Sequence, residues 1–200
     1  MSNLFVISAP SGAGKTSLIK ALLETEENLS LSISHTTREK RPTEIDGKNY
    51  HFVSKNEFKT LIKNNELLEY AKVFDNYYGT SKKTITEQLK NKIDVILEID
   101  WQGHQQIKQH FKKAISIFIL PPSIEELKSR LVKRGEDDKN TINKRMSEAK
   151  NEIKHFNEYD YLIINNNFST ALNELTSIFK TYSLTLDTQK KRHHKLLQSF

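Results

Sequence analysis

Cysteine is absent from this chain of 200 residues. Its absence excludes disulfide bonds, metal sites built from thiolates, and cysteine nucleophiles. The chain also lacks any apolar segment near the ~20 residues that a helix needs to cross a bilayer. Its N-terminus has no basic region, and its first apolar run is too short for a signal peptide. We therefore expect a cytoplasmic protein without a membrane partner.

The residues that are present indicate a globular chain. Hydrophobic residues make up 36% of it, with ten phenylalanines and seven tyrosines, a content typical of a folded rather than a disordered chain. The length suits one domain, and we predict a single domain over residues 1–200.

The formal net charge of +6 is compatible with nucleic acid, an anionic surface or phosphorylated small molecules as partner. The densest basic run is Lys190–Lys195. We interpret it as a solvated helix end, where cations complement the helix dipole, so no nucleic-acid partner is expected. The alternative is an RNA-binding tail, which predicts an affinity that falls steeply with salt and survives Lys15→Ala.

One motif points to a bound phosphate. The apolar run Leu4–Ile7 leads into a glycine-bearing turn that ends in Lys15 and Thr16. In such a turn, successive backbone N–H groups face inward, and the following helix adds the positive end of its dipole. The lysine would reach the β- and γ-phosphates, and the threonine hydroxyl would sit on Mg²⁺. We predict that phosphate is bound by this P-loop, whose residues are Ala9 (at the first glycine of the general pattern), Pro10, Ser11, Gly12, Ala13, Gly14, Lys15 and Thr16.

The chain alternates predicted strands and helices. The apolar runs predict strands at Leu4–Ser8, Leu31–Ser34, Tyr50–Val53, Leu67–Phe74, Ile93–Ile99, Ala114–Leu120 and Tyr161–Ile164. Amphipathic stretches predict helices at 15–23, after the caps Ser54 and Ser123, and at the C-terminus, whereas Asn76–Thr80 is predicted to be a turn. This alternation behind a phosphate turn indicates an α/β fold, a doubly wound parallel sheet flanked by helices. Because residues 34–80 break the alternation, we expect them to form a smaller mixed α/β lobe.

Arginines supply the groups that a second phosphate would need. Arg38 and Arg41 lie three residues apart in an irregular segment, so their guanidinium groups can converge on one phosphate. Arg130 and Arg134 share one face of a predicted helix, and a polar loop separates them from Arg145 on the next helix. We expect these two helices to form a lid. Since phosphoryl transfer depends on positioning and charge neutralisation, this equipment is typical of a kinase.

Several motifs together point to one known family. They are Ala-Pro-Ser-Gly-Ala-Gly-Lys-Thr, Ser-His-Thr-Thr-Arg-x-x-Arg-Pro, Asn-Tyr-Tyr-Gly-Thr, Asp-Trp-Gln-Gly and Phe-Ile-Leu-Pro-Pro. In order and spacing, from the first strand to at least Phe168, the chain resembles the bacterial guanylate kinases among the P-loop nucleoside monophosphate kinases. The resemblance implies transfer of the γ-phosphate of ATP to GMP, and to dGMP, giving ADP and GDP with Mg²⁺. It also implies a role in purine nucleotide metabolism and GMP recycling, in a monomer or a homo-oligomer.

The resemblance implies a role for each matching residue. The GMP phosphate would be held by Arg38, Arg41, Tyr50 and Tyr78. Guanine would be read by Ser34, Glu69, Thr80 and Asp100. The catalytic groups would be Lys15, Arg38, Arg41, Arg130, Arg134 and Arg145. ATP would be bound by the P-loop, residues 9–16, together with Arg134 and Asn165. Mg²⁺ would be held by Thr16 and Asp100, directly or through water.

The implied guanine site is chemically sound, and the chain departs from the family at few positions. Guanine offers two N–H donors that a carboxylate such as Glu69 can accept together, whereas adenine places an acceptor there. Glu98, Asn166 and Asn167 stand where bacterial relatives commonly have aspartate. The resemblance divides the domain into a core (1–33, 81–125 and 156–200), a GMP-binding lobe (about 34–80) and a lid (about 126–155). Trp101 and His104 are assigned to packing and surface.

Two other functions stay open from the sequence alone. One is a guanylate-kinase-like module that binds proteins and no longer phosphorylates nucleotides; the intact P-loop and lid arginines argue against it. The other is a P-loop kinase for a different acceptor, such as AMP, a pyrimidine monophosphate or a deoxynucleotide. Glu69 and Ser34 argue against that function.

Overall fold

A parallel sheet of five strands forms the centre of the protein. The structure, a computed structural model, describes residues 2–73, 75–133 and 138–200. The strands are β1 Leu4–Ser8, β2 Leu29–Leu31, β3 His35–Thr36, β4 His51–Phe52, β5 Leu67–Val73, β6 Asn76–Ser81, β7 Asp94–Glu98, β8 Ile115–Leu120 and β9 Tyr161–Ile164. The central sheet has the order β2-β7-β1-β8-β9, and all its neighbouring strands are parallel.

Helices cover both faces of the central sheet. In the described part of the chain the helices are α1 Lys15–Thr25, α2 Lys55–Lys63, α3 Lys82–Lys90, α4 Trp101–His110, α5 Ile124–Lys133, α6 Lys139–Ile153, α7 Phe168–Ser183, α8 Leu186–Arg192 and α9 His194–Leu197. Alternate residues of β1 face opposite sides, so Phe5 and Ile7 pack with α1 and α7, whereas Leu4 and Val6 pack with α3 and α4. The predicted α/β fold, a parallel sheet flanked by helices, is confirmed.

A second sheet of four strands lies between α1 and α3 in the chain. Its order is β4-β3-β6-β5, and β6 is antiparallel to both of its neighbours. Helix α2 begins at Ser54 with the predicted capping box, in which Ser54 and Glu57 each bond the other's backbone N–H. The division of the chain into core, lobe and lid stays a prediction.

Two predictions of local structure in this region are wrong. Asn76–Thr80, predicted to be a turn, lies in strand β6, because β5 offers it an antiparallel partner from Val73 back to Leu67. The reversal between the two strands includes Asp75, which has a left-handed φ of 41°. The strand predicted at Leu31–Ser34 is instead Leu29–Leu31 (β2). It ends at Leu31 because the next residues carry the chain from the central sheet to the second sheet.

The C-terminal helix is divided rather than continuous. Helix α7 ends at Ser183 and is followed by the short helices α8 and α9. The basic side chains of Lys190, Lys191 and Arg192 lie exposed in the last turn of α8, as a solvated helix end requires. Within the described ranges, none of the helices combines the length and apolar character of a membrane span.

Candidate active site

The P-loop joins the carboxyl end of β1 to the start of α1. Gly12 and Gly14 have φ values of 95° and 93°, in the left-handed region that favours glycine. A Cβ on Gly14 would collide with the side-chain amide of Asn165. That amide is buried and donates to the Ala13 carbonyl at 2.8 Å, so it supports the loop from behind. This backbone geometry suits an anion-binding turn.

Lys15 and Thr16 open α1 beside the carboxyl end of β7. Lys15 Nζ donates to the Ile99 carbonyl at 3.3 Å, and Thr16 Oγ1 donates to Glu98 Oε1 at 2.5 Å. These contacts arise because β1 and β7 are parallel neighbours, with Ile7 in register with Glu98. Both strands therefore end at the same edge, where open α/β sheets bind ligands.

Asp100 follows β7 and caps α4. Its carboxylate accepts hydrogen bonds from the Gly103 N–H at 3.0 Å and from the Gln102 side-chain amide at 2.9 Å. The next residue, Trp101, stacks on His155, which lies just beyond α6, with ring centroids 3.8 Å apart and planes 6° from parallel. The start of α4 is thereby held against the end of α6.

The loop after β3 gathers its arginines around a carboxylate. Glu44 Oε1 pairs with the Arg38 guanidinium at 2.6 Å, and Glu44 Oε2 accepts the backbone N–H of Arg41 at 2.8 Å. The Arg38 guanidinium also lies 5.5 Å from the ring centre of Tyr50. Burial raises the pKa of Glu44, but the bonds from the two arginines outweigh it and leave that pKa lowered. Glu44 therefore binds the Arg38 guanidinium and the Arg41 backbone through one carboxylate.

Glu69 is a buried carboxylate on β5. It is 3% exposed and accepts a hydrogen bond from Thr80 Oγ1 at 2.6 Å, while Thr80 Oγ1 lies 3.5 Å from Ser34 Oγ. Burial raises the pKa of Glu69 to about 7, the charge of Asp100 acts in the same direction, and the Thr80 bond opposes them. Gly103 leaves room for this carboxylate, since a Cβ there would collide with it.

A cleft of about 670 Å³ joins the P-loop to the second sheet. Its lining is Ala9, Pro10, Ser11, Gly12, Gly14, Lys15, Thr16, Ser17, Ser34, Tyr50, Glu69, Ala71, Val73, Tyr78, Glu98, Ile99, Asp100, Arg130 and Glu152. One end offers a phosphate cradle and the other a buried acid with hydroxyl groups, so the cleft can hold two polar ligands side by side.

Comparison with known proteins agrees with this architecture. The guanylate kinase family model matches residues 1–182. The chain belongs to the guanylate kinase family. It is 54% identical over 196 residues to guanylate kinase of Saccharophagus degradans, covering 98% of this chain and 96% of that protein. It is 53% identical over 197 residues to guanylate kinase of Shewanella violacea, covering 98% and 95%. The crystal structure of guanylate kinase from Anaplasma phagocytophilum superposes with a TM-score of 0.78 at 32% identity, covering 92% of this chain and 88% of that one.

The residues expected from the guanylate kinase resemblance fall into three groups: those that line the cleft, those beyond its lining, and one outside the described residues. Those that line the cleft are Ala9, Pro10, Ser11, Gly12, Gly14, Lys15, Thr16, Ser34, Tyr50, Glu69, Tyr78, Asp100 and Arg130. Those placed beyond its lining are Ala13, Arg38, Arg41, Thr80, Arg145 and Asn165. Arg134 lies outside the described residues. Arg130 donates to the Asn165 carbonyl at 3.0 Å and to Glu126 at 2.9 Å. It therefore lies beside Asn165, whose amide supports the P-loop.

Sequence reasoning did not single out two acids that the structure places at this guanylate kinase site. Glu44 carries a readable signal, because it lies three residues after Arg41 in the same loop. Glu152, on α6, lines the cleft but carries no local signal, since its neighbours in the cleft are far away in sequence. Burial raises the pKa of Glu152 to about 7; Asp100 acts in the same direction, whereas Lys15 and the Ser11 N–H oppose it.

Proposed function

We propose that the chain transfers the γ-phosphate of ATP to GMP, giving ADP and GDP. The observation that carries this proposal is the shared cleft, with the P-loop at one end and the buried Glu69 at the other. Membership of the guanylate kinase family supports the same reaction. The nucleotides would meet with their phosphates between the two ends.

The P-loop end would bind ATP. Its backbone N–H groups and the dipole of α1 would hold the β-phosphate, and Lys15 would reach the transferred group. Arg130, with Arg134 and Arg145, would neutralise the charge that spreads over the phosphoryl oxygens during transfer. Asn165 would act mainly by supporting the loop, because its amide bonds Ala13.

The other end would bind GMP. The ionised Glu69 would accept the N1–H and N2–H donors of guanine, next to Ser34, Thr80 and Asp100. Adenine would turn an acceptor toward this carboxylate, so AMP would bind less tightly than GMP. The GMP phosphate would be held by Arg38, Arg41, Tyr50 and Tyr78. The deoxyribose of dGMP would leave these contacts unchanged.

The residues present fit Mg²⁺. Thr16 donates its proton to Glu98, which leaves the lone pairs of its hydroxyl oxygen for a cation, and Asp100 lines the same cleft. Among the described residues, no group of three His, Asp or Glu side chains forms a metal site by itself. The nucleotide phosphates and water would therefore complete the coordination, as is usual for this ion. When bound, Mg²⁺ would neutralise phosphate charge.

A direct assay tests the proposal. Phosphoryl transfer from Mg·ATP would be measured with GMP, dGMP, AMP, UMP and dTMP, with Lys15→Ala as the inactive control. Formation of ADP with GMP that depends on Lys15 is expected. Turnover with another acceptor would keep the mechanism but discard the guanine site, and ATP binding without any turnover would favour the protein-binding module. Cytoplasmic location, oligomeric state and independence of nucleic acid stay predictions.

A further inference from the structure

Glu152 is an acidic side chain that faces the phosphate cradle from helix α6. It lines the cleft together with the P-loop, and its Oε2 is buried with no hydrogen-bond partner among the described residues. Two P-loop groups, the Lys15 ammonium and the Ser11 backbone N–H, favour its charged form. These groups belong to the segment that would bind a nucleotide phosphate.

The end of α6 that carries Glu152 is fixed in place. His155, three residues later, stacks on Trp101, and its Nδ1 lies 2.5 Å from Glu158 Oε1. Trp101 in turn follows Asp100, the cap of α4. Glu152 is therefore at the end of α6 that is held against α4.

The charge of Glu152 has the sign of a phosphate. Asp100 and Glu148 add further negative charge to its surroundings, so the positive groups of the P-loop are the favourable partners of the carboxylate. A nucleotide phosphate in the cradle would seek the same partners. In a partly buried site, where charges are poorly screened, two anions cannot both be satisfied by one lysine.

We propose that the Glu152 carboxylate, which lines the cleft beside Lys15 and Ser11, competes with the nucleotide phosphate for the positive end of the P-loop. The inference rests on the role proposed above for the P-loop. It has a directional consequence, because removing the carboxylate charge strengthens nucleotide binding, whereas structural damage weakens it.

Calorimetry with ADP in the presence of EDTA tests this inference without a contribution from metal. The variants are Glu152→Gln, which keeps the shape of the side chain, and Glu152→Ala, which removes any new contact of the amide. Glu174→Gln is the matched control, since Glu174 is exposed on α7 and the net charge changes equally. Both Glu152 variants are expected to bind ADP about tenfold more tightly than wild type. GMP affinity and the control variant are expected to match wild type.

Other outcomes overturn the inference in distinguishable ways. Unchanged or weaker ADP binding by both Glu152 variants, with GMP binding intact, would show that the carboxylate does not compete with phosphate. Weaker binding confined to Mg·ADP would assign Glu152 to the metal instead. Failure of the wild-type protein to bind ADP would remove the proposed P-loop role, and the inference with it.

Discussion

The two walls of the cleft are built on different principles. The P-loop wall, residues 9–16, is one continuous segment whose shape depends on two left-handed glycines. It rests on β1, where Phe5, Val6 and Ile7 are fully buried. The second-sheet wall, by contrast, is assembled from side chains of separate segments, with Glu69 bonded to Thr80 and Thr80 beside Ser34.

The difference separates two kinds of recognition. Backbone N–H groups bind any phosphate of suitable size, so the P-loop wall cannot distinguish bases. Placed carboxylate and hydroxyl groups match the donors of one base and leave unpaired groups with another. Substrate selection is therefore expected to depend on the second-sheet wall, and phosphoryl transfer on the P-loop wall.

Lys15→Ala, in the P-loop wall, should have the largest effect of the substitutions considered. We expect kcat to fall about 10³-fold, because the charge that reaches the transferred phosphoryl group is removed. GMP binding should be retained, since Lys15 bonds the Ile99 carbonyl at the end of β7 in the central sheet and not Glu69 or Thr80. Steady-state kinetics and GMP calorimetry would measure the two effects.

Arg41→Ala is the complementary substitution, directed at GMP binding instead of phosphoryl transfer. It should weaken GMP binding and leave ATP binding little changed, because the substitution removes the guanidinium proposed to hold the GMP phosphate and keeps the backbone N–H that bonds Glu44. If Lys15→Ala and Arg41→Ala weakened binding of the same nucleotide, the assignment of two separate walls would be wrong.

Glu69→Gln tests the second-sheet wall at its buried acid. The amide accepts one guanine N–H and opposes the other with its own donor, so we expect GMP affinity to fall about 100-fold. ATP affinity should stay at the wild-type value. Glu87→Gln, an exposed acid on α3, is the matched control. Equal losses of ATP and GMP affinity would show that Glu69 supports the fold instead of reading the base.

The pH dependence of GMP binding should report the same carboxylate. Burial raises the pKa of Glu69 to about 7, so the form that accepts two N–H donors is lost as the pH falls through 7. We expect the affinity for GMP to decrease about tenfold between pH 8 and pH 6. Because the GMP phosphate also titrates, the measured quantity is the difference between wild type and Glu69→Gln. Parallel curves for the two proteins would contradict the assignment.

The sequence predicts the P-loop wall more completely than the second-sheet wall. The P-loop is contiguous, so its glycines, lysine and threonine can be recognised without knowledge of any distant contact. The strand β6 is missed because antiparallel pairing with β5 overrides the turn preference of its tyrosine- and glycine-containing segment. Glu152 is missed for the same kind of reason, since its neighbours Lys15 and Asp100 come from other elements.

Long-range contacts of α4 also join the two walls. Gln106→Ala, which removes two of these contacts, should have the smallest effect of the substitutions considered. The Gln106 side chain donates to the Tyr70 carbonyl at 2.7 Å and accepts the Tyr70 N–H at 3.1 Å, which covers β5 at the edge of the second sheet. Because Tyr70 is 41% exposed, water can replace these bonds, and we expect a loss of about 1 kcal/mol and a melting temperature about 3 °C lower.

Kinetics of the Gln106→Ala variant then decide whether the walls are independent. Displacement of β5 moves Glu69 but not the P-loop, so the KM for GMP should rise slightly while the KM for ATP stays constant. Gln109→Ala, at an exposed position on the same helix, controls for the substitution itself. A rise in both KM values would mean that α4 transmits the change through Asp100 to the P-loop, and the two walls would then act as one unit.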